Sequence, residues 1–403
     1  MLGLTSVCVF LFSALALAVG SGYSLGAGTM LLASTWLLWK RPRLGLQRKD
    51  YVLIGVLLFY FLIYTINMLW HGDPSRELDM PLRALLAIAV LLLLLAYPPR
   101  AEAWWAGLAI GAIAGTALAC WQLLYLHISR PQAATSNAIH YGNVSMLLGM
   151  LSLAGLDWAN KQRHRIAWIS LMGLGCVAGV AGSVLSSSRG GWIAFPICIA
   201  IFVLYRSRQY GKRYLCPALL GLAAVVLLPF FIPHSPVAQR ATMAIAELEK
   251  FQKDRNVDTS VGQRLEMWRL SWAMSHQNPW LGLGRSGYMD QKEALFAQGK
   301  LSAPIKNYTN AHNDYLDALT KRGIPGVLAL LALFFVPLTL FVQALRSAPP
   351  AAQPYALGGI MLCTCYPIFG LTTSSLTLNI GIIMLVFPMI ILWSMLRQQQ
   401  RNT

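Results

Sequence analysis

Apolar runs of about twenty residues recur along nearly the whole of this 403-residue chain. A run of that length just crosses ~30 Å of hydrocarbon as a helix rising about 1.5 Å per residue. Inside a bilayer the backbone must satisfy its own hydrogen bonds, which leaves helices or a closed barrel. Barrel strands read as short alternations of polar and apolar residues, and these runs are continuously apolar. Only 12% of residues are charged and 56% are hydrophobic, against about a quarter charged in soluble domains. The sequence therefore predicts an all-α polytopic membrane protein. About twelve spans are expected, near 2–21, 23–39, 51–70, 82–97, 103–127, 143–159, 166–185, 191–205, 214–233, 323–345, 355–372 and 377–396. The first resembles a secretory leader, with Ala16-Leu17-Ala18 where a cleavage site would lie. No basic residue precedes it, so an uncleaved anchor is expected.

Twelve spans put both termini on one side. The segments on that side, 40–49, 98–102, 160–165, 206–213, 346–354 and 397–403, hold 16 Lys and Arg residues. The short connections opposite carry Arg76, Arg130 and Arg189, with Arg83 at a boundary. The positive-inside rule makes the termini cytoplasmic and turns the one long hydrophilic segment, 234–322, outward. Three units are expected: spans one to nine over 1–233, the outward loop over 234–322, and spans ten to twelve with a cytoplasmic tail over 323–403.

The net charge of +17 is mostly this cytoplasmic bias, which suits anionic membrane lipids. The basic residues form no stripe on a soluble domain, so nucleic acid is not an expected partner. The seven cysteines sit in or beside spans without a paired framework, as small core residues do.

The outward loop holds twelve basic and nine acidic residues. Pro233 and Pro236 end the preceding helix. Val237, Ala241, Ala244, Ile245, Leu248 and Phe251 then give an amphipathic helix over 237–252, suited to a membrane surface. A turn over 254–258 leads to a helix over 261–276, with Leu265, Trp268 and Trp272 on one stripe. The run from Asn278 to Gly287 contains G-x-G-x-x-G, yet no strand precedes it and no acidic residue follows at the needed distance, which excludes a dinucleotide site. Two readings stay open: backbone amides approaching an anion, or a tight turn between helices.

A short helix over 311–322, capped by Asn310 or Asn313, is broken by Gly323-Ile324-Pro325-Gly326. His312 then sits at a helix start near the bilayer, where the helix field keeps the ring neutral, as a proton acceptor must be. A capping, interfacial histidine fits the same place. Asn313, Asp314 and Tyr315 surround it as supporting residues. Arg189, at the outer end of the seventh span in Ser186-Ser187-Ser188-Arg189-Gly190-Gly191-Trp192, either snorkels or, where the serines and glycines leave room, meets a polar ligand. With Arg264 and Arg285 it forms a set of outward guanidiniums, whose planar forks suit phosphate. No metal constellation of zinc or paired-carboxylate type occurs; no metal or other cofactor is expected.

Four motifs occur in order: Ser188-Arg189-Gly190-Gly191-Trp192, Gln263-Arg264-Leu265-Glu266-Met267-Trp268, Asn278-Pro279-Trp280-Leu281-Gly282-Leu283-Gly284, and His312-Asn313-Asp314-Tyr315-Leu316 with Gly323-Ile324-Pro325-Gly326. Through about 186–330 the chain resembles the bacterial O-antigen ligase/polymerase superfamily. That resemblance implies a C-type glycosyltransferase of the bacterial inner membrane, working at the periplasmic face. It implies a donor glycan on undecaprenyl diphosphate and, for ligases, lipid A–core oligosaccharide as acceptor; polymerases use another lipid-linked repeat, and a related branch uses proteins. It further implies that Arg189, Arg264 and Arg285 contact the donor pyrophosphate and that His312 activates the acceptor hydroxyl. The ligase is the expected activity, metal-independent and inverting. A transporter fits less well, because the polar cluster lies in an extramembrane loop.

Overall fold

The computed structural model describes residues 1–232, 235–254 and 257–401, and all its regular structure is helical. The first helices are α1 Leu2–Ala14, α2 Gly22–Ser34, α3 Trp36–Lys40, α4 Arg48–His71, α5 Asp79–Ala96 and α6 Ala101–Leu124. They are followed by α7 Ala138–Ala159, α8 Arg165–Leu185, α9 Arg189–Tyr210 and α10 Lys212–Phe231. The hydrophilic segment carries α11 Pro236–Asp254, α12 Ser260–Ser275, α13 Gly284–Ala297 and α14 Ala303–Lys306. The chain closes with α15 Asp314–Ser347, α16 Gln353–Thr372 and α17 Asn379–Arg401.

Among the described residues nine helices are long and apolar enough to cross a membrane: α4 to α9 and α15 to α17. The other three expected spans fall on α1, α2 and α10. α1 and α2 have 13 residues each, a rise of about 20 Å. A left-handed Ser21 (φ 56°) separates them, and Gly26 lets them touch, since a Cβ there would lie 2.3 Å from Phe12 Cα. The break expected at Pro233, and Arg255 and Asn256 of the expected 254–258 turn, lie outside the described residues.

α7, α16 and α17 are the most buried spans and form the centre of the bundle. α7 packs against α6, α8, α9 and α16. Lipid tails are as apolar as leucine, so close backbone approach between small residues, not hydrophobicity, brings such helices together. Gly179 of α8 is an instance: a Cβ there would sit 2.5 Å from Gly149 Cα of α7. Ser145 Oγ donates to Gly179 O across the same contact at 3.0 Å. Cys198 and Cys365 meet in the core as free thiols, 3.5 Å apart at Sγ.

Two buried ion clusters fasten the end of the bundle away from the hydrophilic segment. Asp50 accepts from Arg397 Nε at 3.0 Å and from Trp393 Nε1 at 2.8 Å. Asp157 is paired with Arg206 at 2.8 Å and with Lys161 at 3.0 Å. At the opposite end, α12, α13 and the segment after them enclose a second core of Met267, Leu270, Met274, Tyr288, Leu301 and Ile305. The core-facing stripe of α12 is thus Met267, Leu270 and Met274; Trp272, on the expected stripe, is exposed.

Candidate functional site

Asn313 starts α15. Its Oδ1 accepts the N–H groups of Tyr315 and Leu316, both at 3.0 Å, two of the donors a helix start leaves unpaired. Asn310, the other cap candidate, instead accepts the N–H of His312 at 3.1 Å. His312 lies just before the helix with φ 50°, a left-handed conformation that costs a residue with a β-carbon about 1–2 kcal/mol. Its neighbours enforce it. The Asn313 N–H donates to Ser374 Oγ at 3.1 Å, and Asn313 Nδ2 donates to Leu371 O at 3.2 Å. Asp314 accepts the N–H groups of Ser375 and Leu376 at 3.0 and 3.2 Å, and Tyr315 Oη donates to Pro367 O at 2.9 Å. All three supporting residues therefore act as anchors that tie the histidine turn to α16 and the turn beyond it.

Two lysines hold the turn from the other side. Lys292, fully buried, donates to the carbonyls of Ile305 and Tyr308. Burial pushes its pKa down to about 8, aided by Lys321. Lys321 donates to Thr309 O and pairs with Asp317, both at 2.7 Å. The strapped segment presents Tyr308, whose ring meets that of His312 edge-on at 5.2 Å between centroids. Tyr308 Oη also donates to Gln263 Oε1 at 3.2 Å, beside Arg264.

His312 Nδ1 is buried without a hydrogen-bond partner. Burial, then the neighbouring Arg264 guanidinium, lowers its pKa to about 4, and Asp317 opposes the change. The imidazole is neutral at physiological pH, and its Nδ1 is uncommitted.

Arg264 belongs to a cleft lined also by Arg130, Arg189 and Arg240, with Glu247 and Ser188. Among the described residues none of the four guanidiniums has a salt bridge or hydrogen bond. The one carboxylate, Glu247, accepts the Val261 N–H at 3.0 Å. Burial and mutual repulsion lower the pKa of Arg264, yet guanidinium stays charged in proteins. Four unpaired cations around one carboxylate make a site for a multivalent anion. Arg189 reaches it because α9 starts against its neighbours: a Cβ on Gly190 would lie 2.2 Å from Thr372 Oγ1, and one on Gly191 2.6 Å from Ser183 Oγ. Both glycines let α9 pack closely, and Gly190 also lines the cleft.

Arg285 does not join this cleft. Its guanidinium pairs with Glu77, and it lines a separate cavity. The glycine-rich turn combines both readings left open for it. Its amides do meet an anion, the chain's own Asp73, whose carboxylate accepts the Arg285 and Ser286 N–H groups at 2.7 and 2.8 Å. Burial alone would raise the Asp73 pKa, but these amides outweigh it and the net displacement is downward. The turn is also tight: Gly282 (φ 69°) and Gly323 (φ 63°) back onto each other's segments. Leu283 N–H donates to Thr320 O at 2.9 Å and Ile324 N–H to Pro279 O at 2.8 Å. Gly323 is the expected helix break, a kink within α15.

A family model described as O-antigen ligase matches residues 174–331, the stretch that carries Arg189, Arg264, Arg285 and His312. Over that stretch the chain is similar to the O-antigen ligase family. An uncharacterized protein of Haemophilus influenzae is 24% identical over 384 residues, covering 93% of this chain and 94% of that one. An O-antigen ligase of Escherichia coli is 23% identical over 194 residues, 47% of this chain and 44% of that protein.

To the site residues expected from sequence the structure adds three. Arg130 and Arg240 complete the cationic cleft. His140, buried at the start of α7, lies within electrostatic reach of His312. Arg130 was visible as a basic residue on the sparsely charged side of the chain; Arg240 and His140 carried no local signal.

Proposed function

We propose that this protein is an O-antigen ligase, transferring polysaccharide from undecaprenyl diphosphate to lipid A–core oligosaccharide at the periplasmic face of the inner membrane, with its termini in the cytoplasm. The observation that carries the reading is the convergence of four unpaired guanidiniums beside a neutral, uncommitted imidazole. Arg130, Arg189, Arg240 and Arg264 hold the donor diphosphate. We leave Arg285 out of this set because its charge is matched by Glu77.

The chemistry follows from that division. The acceptor hydroxyl oxygen bonds to the anomeric carbon while the bond from that carbon to the diphosphate oxygen breaks. The electron pair stays on the diphosphate, and the hydroxyl proton passes to His312. Attack from the face opposite the leaving group inverts the anomeric centre. Negative charge grows on the diphosphate as the bond breaks, and fixed donors aimed at developing charge are worth about 3–4 kcal/mol each. No nucleotide is needed, because the lipid diphosphate is already an activated leaving group, and guanidiniums supply the neutralisation that a metal ion would otherwise give.

An imidazole with a pKa near 4 is a weak base, and a base works best when its pKa approaches the operating pH. Donor binding corrects this: the diphosphate offsets the Arg264 charge that depresses His312. Substrate thus raises the basicity of the group that must act on it.

The test is transfer by purified protein given lipid-linked glycan and lipid A–core, with and without EDTA. His312→Ala should remove transfer while donor affinity persists. Retained turnover in that variant would refute the base assignment, and loss of wild-type activity in EDTA would refute the metal-independent mechanism.

A further inference from the structure

A second cavity of about 220 Å³ opens beside the histidine turn, bounded by Thr309 and Asn310 of that turn, by α15, by the α4–α5 connection and by the segment after α16. We infer that it is the acceptor subsite and that it receives a neutral sugar ring. This rests on the transferase reading above and extends it to the second substrate.

Charge separates the two cavities. The donor cleft sets four cations against one carboxylate. The second cavity is lined by Arg76, Arg285, Lys321 and Arg322. Against them stand the acidic side chains of Glu77, Asp79, Asp314 and Asp317. Several are already matched: Arg285 with Glu77, Arg322 with Glu77 at 3.5 Å, and Lys321 with Asp317 at 2.7 Å. A diphosphate gains less there, since Arg285, Lys321 and Arg322 would each have to leave a partner. A sugar suits it, because its hydroxyls donate to carboxylates and accept from guanidiniums at once, in the fork geometry that both groups offer.

The apolar part of the lining fits the same ligand. Tyr60 and Tyr64 pack together at 4.3 Å between ring centroids, and with Met80, Leu376 and Leu378 they give the cavity a hydrocarbon side. A sugar ring presents C–H groups to such a surface while its hydroxyls face the polar side. The volume of about 220 Å³ suits a sugar ring, so the cavity reads the accepting residue.

Position completes the argument. Thr309 and Asn310 of the histidine turn line this cavity, while Tyr308, edge-on to the His312 ring, bonds Gln263 beside Arg264 of the donor cleft. The histidine turn therefore stands between the two, where a base must be to take a proton from an acceptor hydroxyl and deliver its oxygen to a donor carbon.

The subsite is tested with substitutions at exposed lining positions that hold no buried ion pair. Thr309→Trp fills the mouth; Asp79→Asn and Arg76→Gln remove a hydrogen-bonding charge. In transfer assays each should raise the KM for lipid A–core at least tenfold and change the donor KM less than twofold, with Arg130→Gln doing the converse. An unmoved acceptor KM, or a raised donor KM in these variants, overturns the assignment. Saturation-transfer NMR with delipidated core oligosaccharide tests the cavity without turnover. Signal from wild type that Thr309→Trp abolishes supports the subsite, and equal signal from both overturns it. Absence of wild-type transfer with binding intact would instead refute the transferase reading.

Discussion

The titration of His312 is the sharpest measurable consequence of the site's electrostatics. Its pKa is lowered from 6.5 to about 4, by burial first and by Arg264 second, against an opposing effect of Asp317. A displacement of that size favours the neutral ring by about 3 kcal/mol. The unfolded chain takes up this proton near pH 6.5 and the folded chain near 4, so acid destabilises the fold through that window as pH falls. The perturbation is Arg264→Gln. Burial remains in the variant and is the larger cause, so the midpoint should rise by about one pH unit, not the whole way back. The assay is proton–carbon NMR of ring-labelled protein in detergent without donor; seven histidines give few signals, and His312→Gln assigns the relevant one. In wild type that signal should stay at its neutral position from pH 8 to 5 and move only near 4. Adding undecaprenyl diphosphate should shift the midpoint upward. A wild-type midpoint near 6.5, or one unmoved in Arg264→Gln, would refute the reasoning.

Gly323→Ala should destabilise by about 2 kcal/mol or more, because φ is +63° and the new Cβ would lie 2.4 Å from Trp280 O; thermal unfolding in detergent checks it. Lys292→Met leaves the carbonyls of Ile305 and Tyr308 without their donor at a cost of about 1–3 kcal/mol, and limited proteolysis should cut the 299–310 segment sooner than in wild type. Arg189→Lys keeps the charge and loses the planar fork, so donor affinity should fall about tenfold; unchanged binding by calorimetry would mark Arg189 as a snorkelling residue.

Sequence carried the spans because membrane crossing is a local property: twenty apolar residues declare themselves without reference to any other segment. It marked His312, Asn313 and Asp314 as a candidate cluster for a similar reason, since a polar cluster next to a span is visible within seven residues. It could not carry the division of the arginines. Arg189, Arg264 and Arg285 look alike locally, and only tertiary packing brings Glu77, 208 positions away, onto Arg285 while leaving the other two unpaired. The amide anion site had the same blind spot, since its anion is Asp73. Gly190 and Gly191 also let three helices converge, their missing side chains facing Thr372 and Ser183, a packing role that only tertiary structure reveals.

This pairing of charges bears on how the two substrates are kept apart. A cleft that binds a diphosphate through unmatched cations would attract any anionic group on the acceptor as well, and a misplaced acceptor would block the donor. Matching most of the charge in the second cavity weakens that competition, because Arg285, Arg322 and Lys321 there already have carboxylate partners. The matched pairs cost desolvation and add little net stability. Their retention at the rim of the histidine turn makes sense as discrimination: the anion has one attractive place to go, and the neutral sugar has the other.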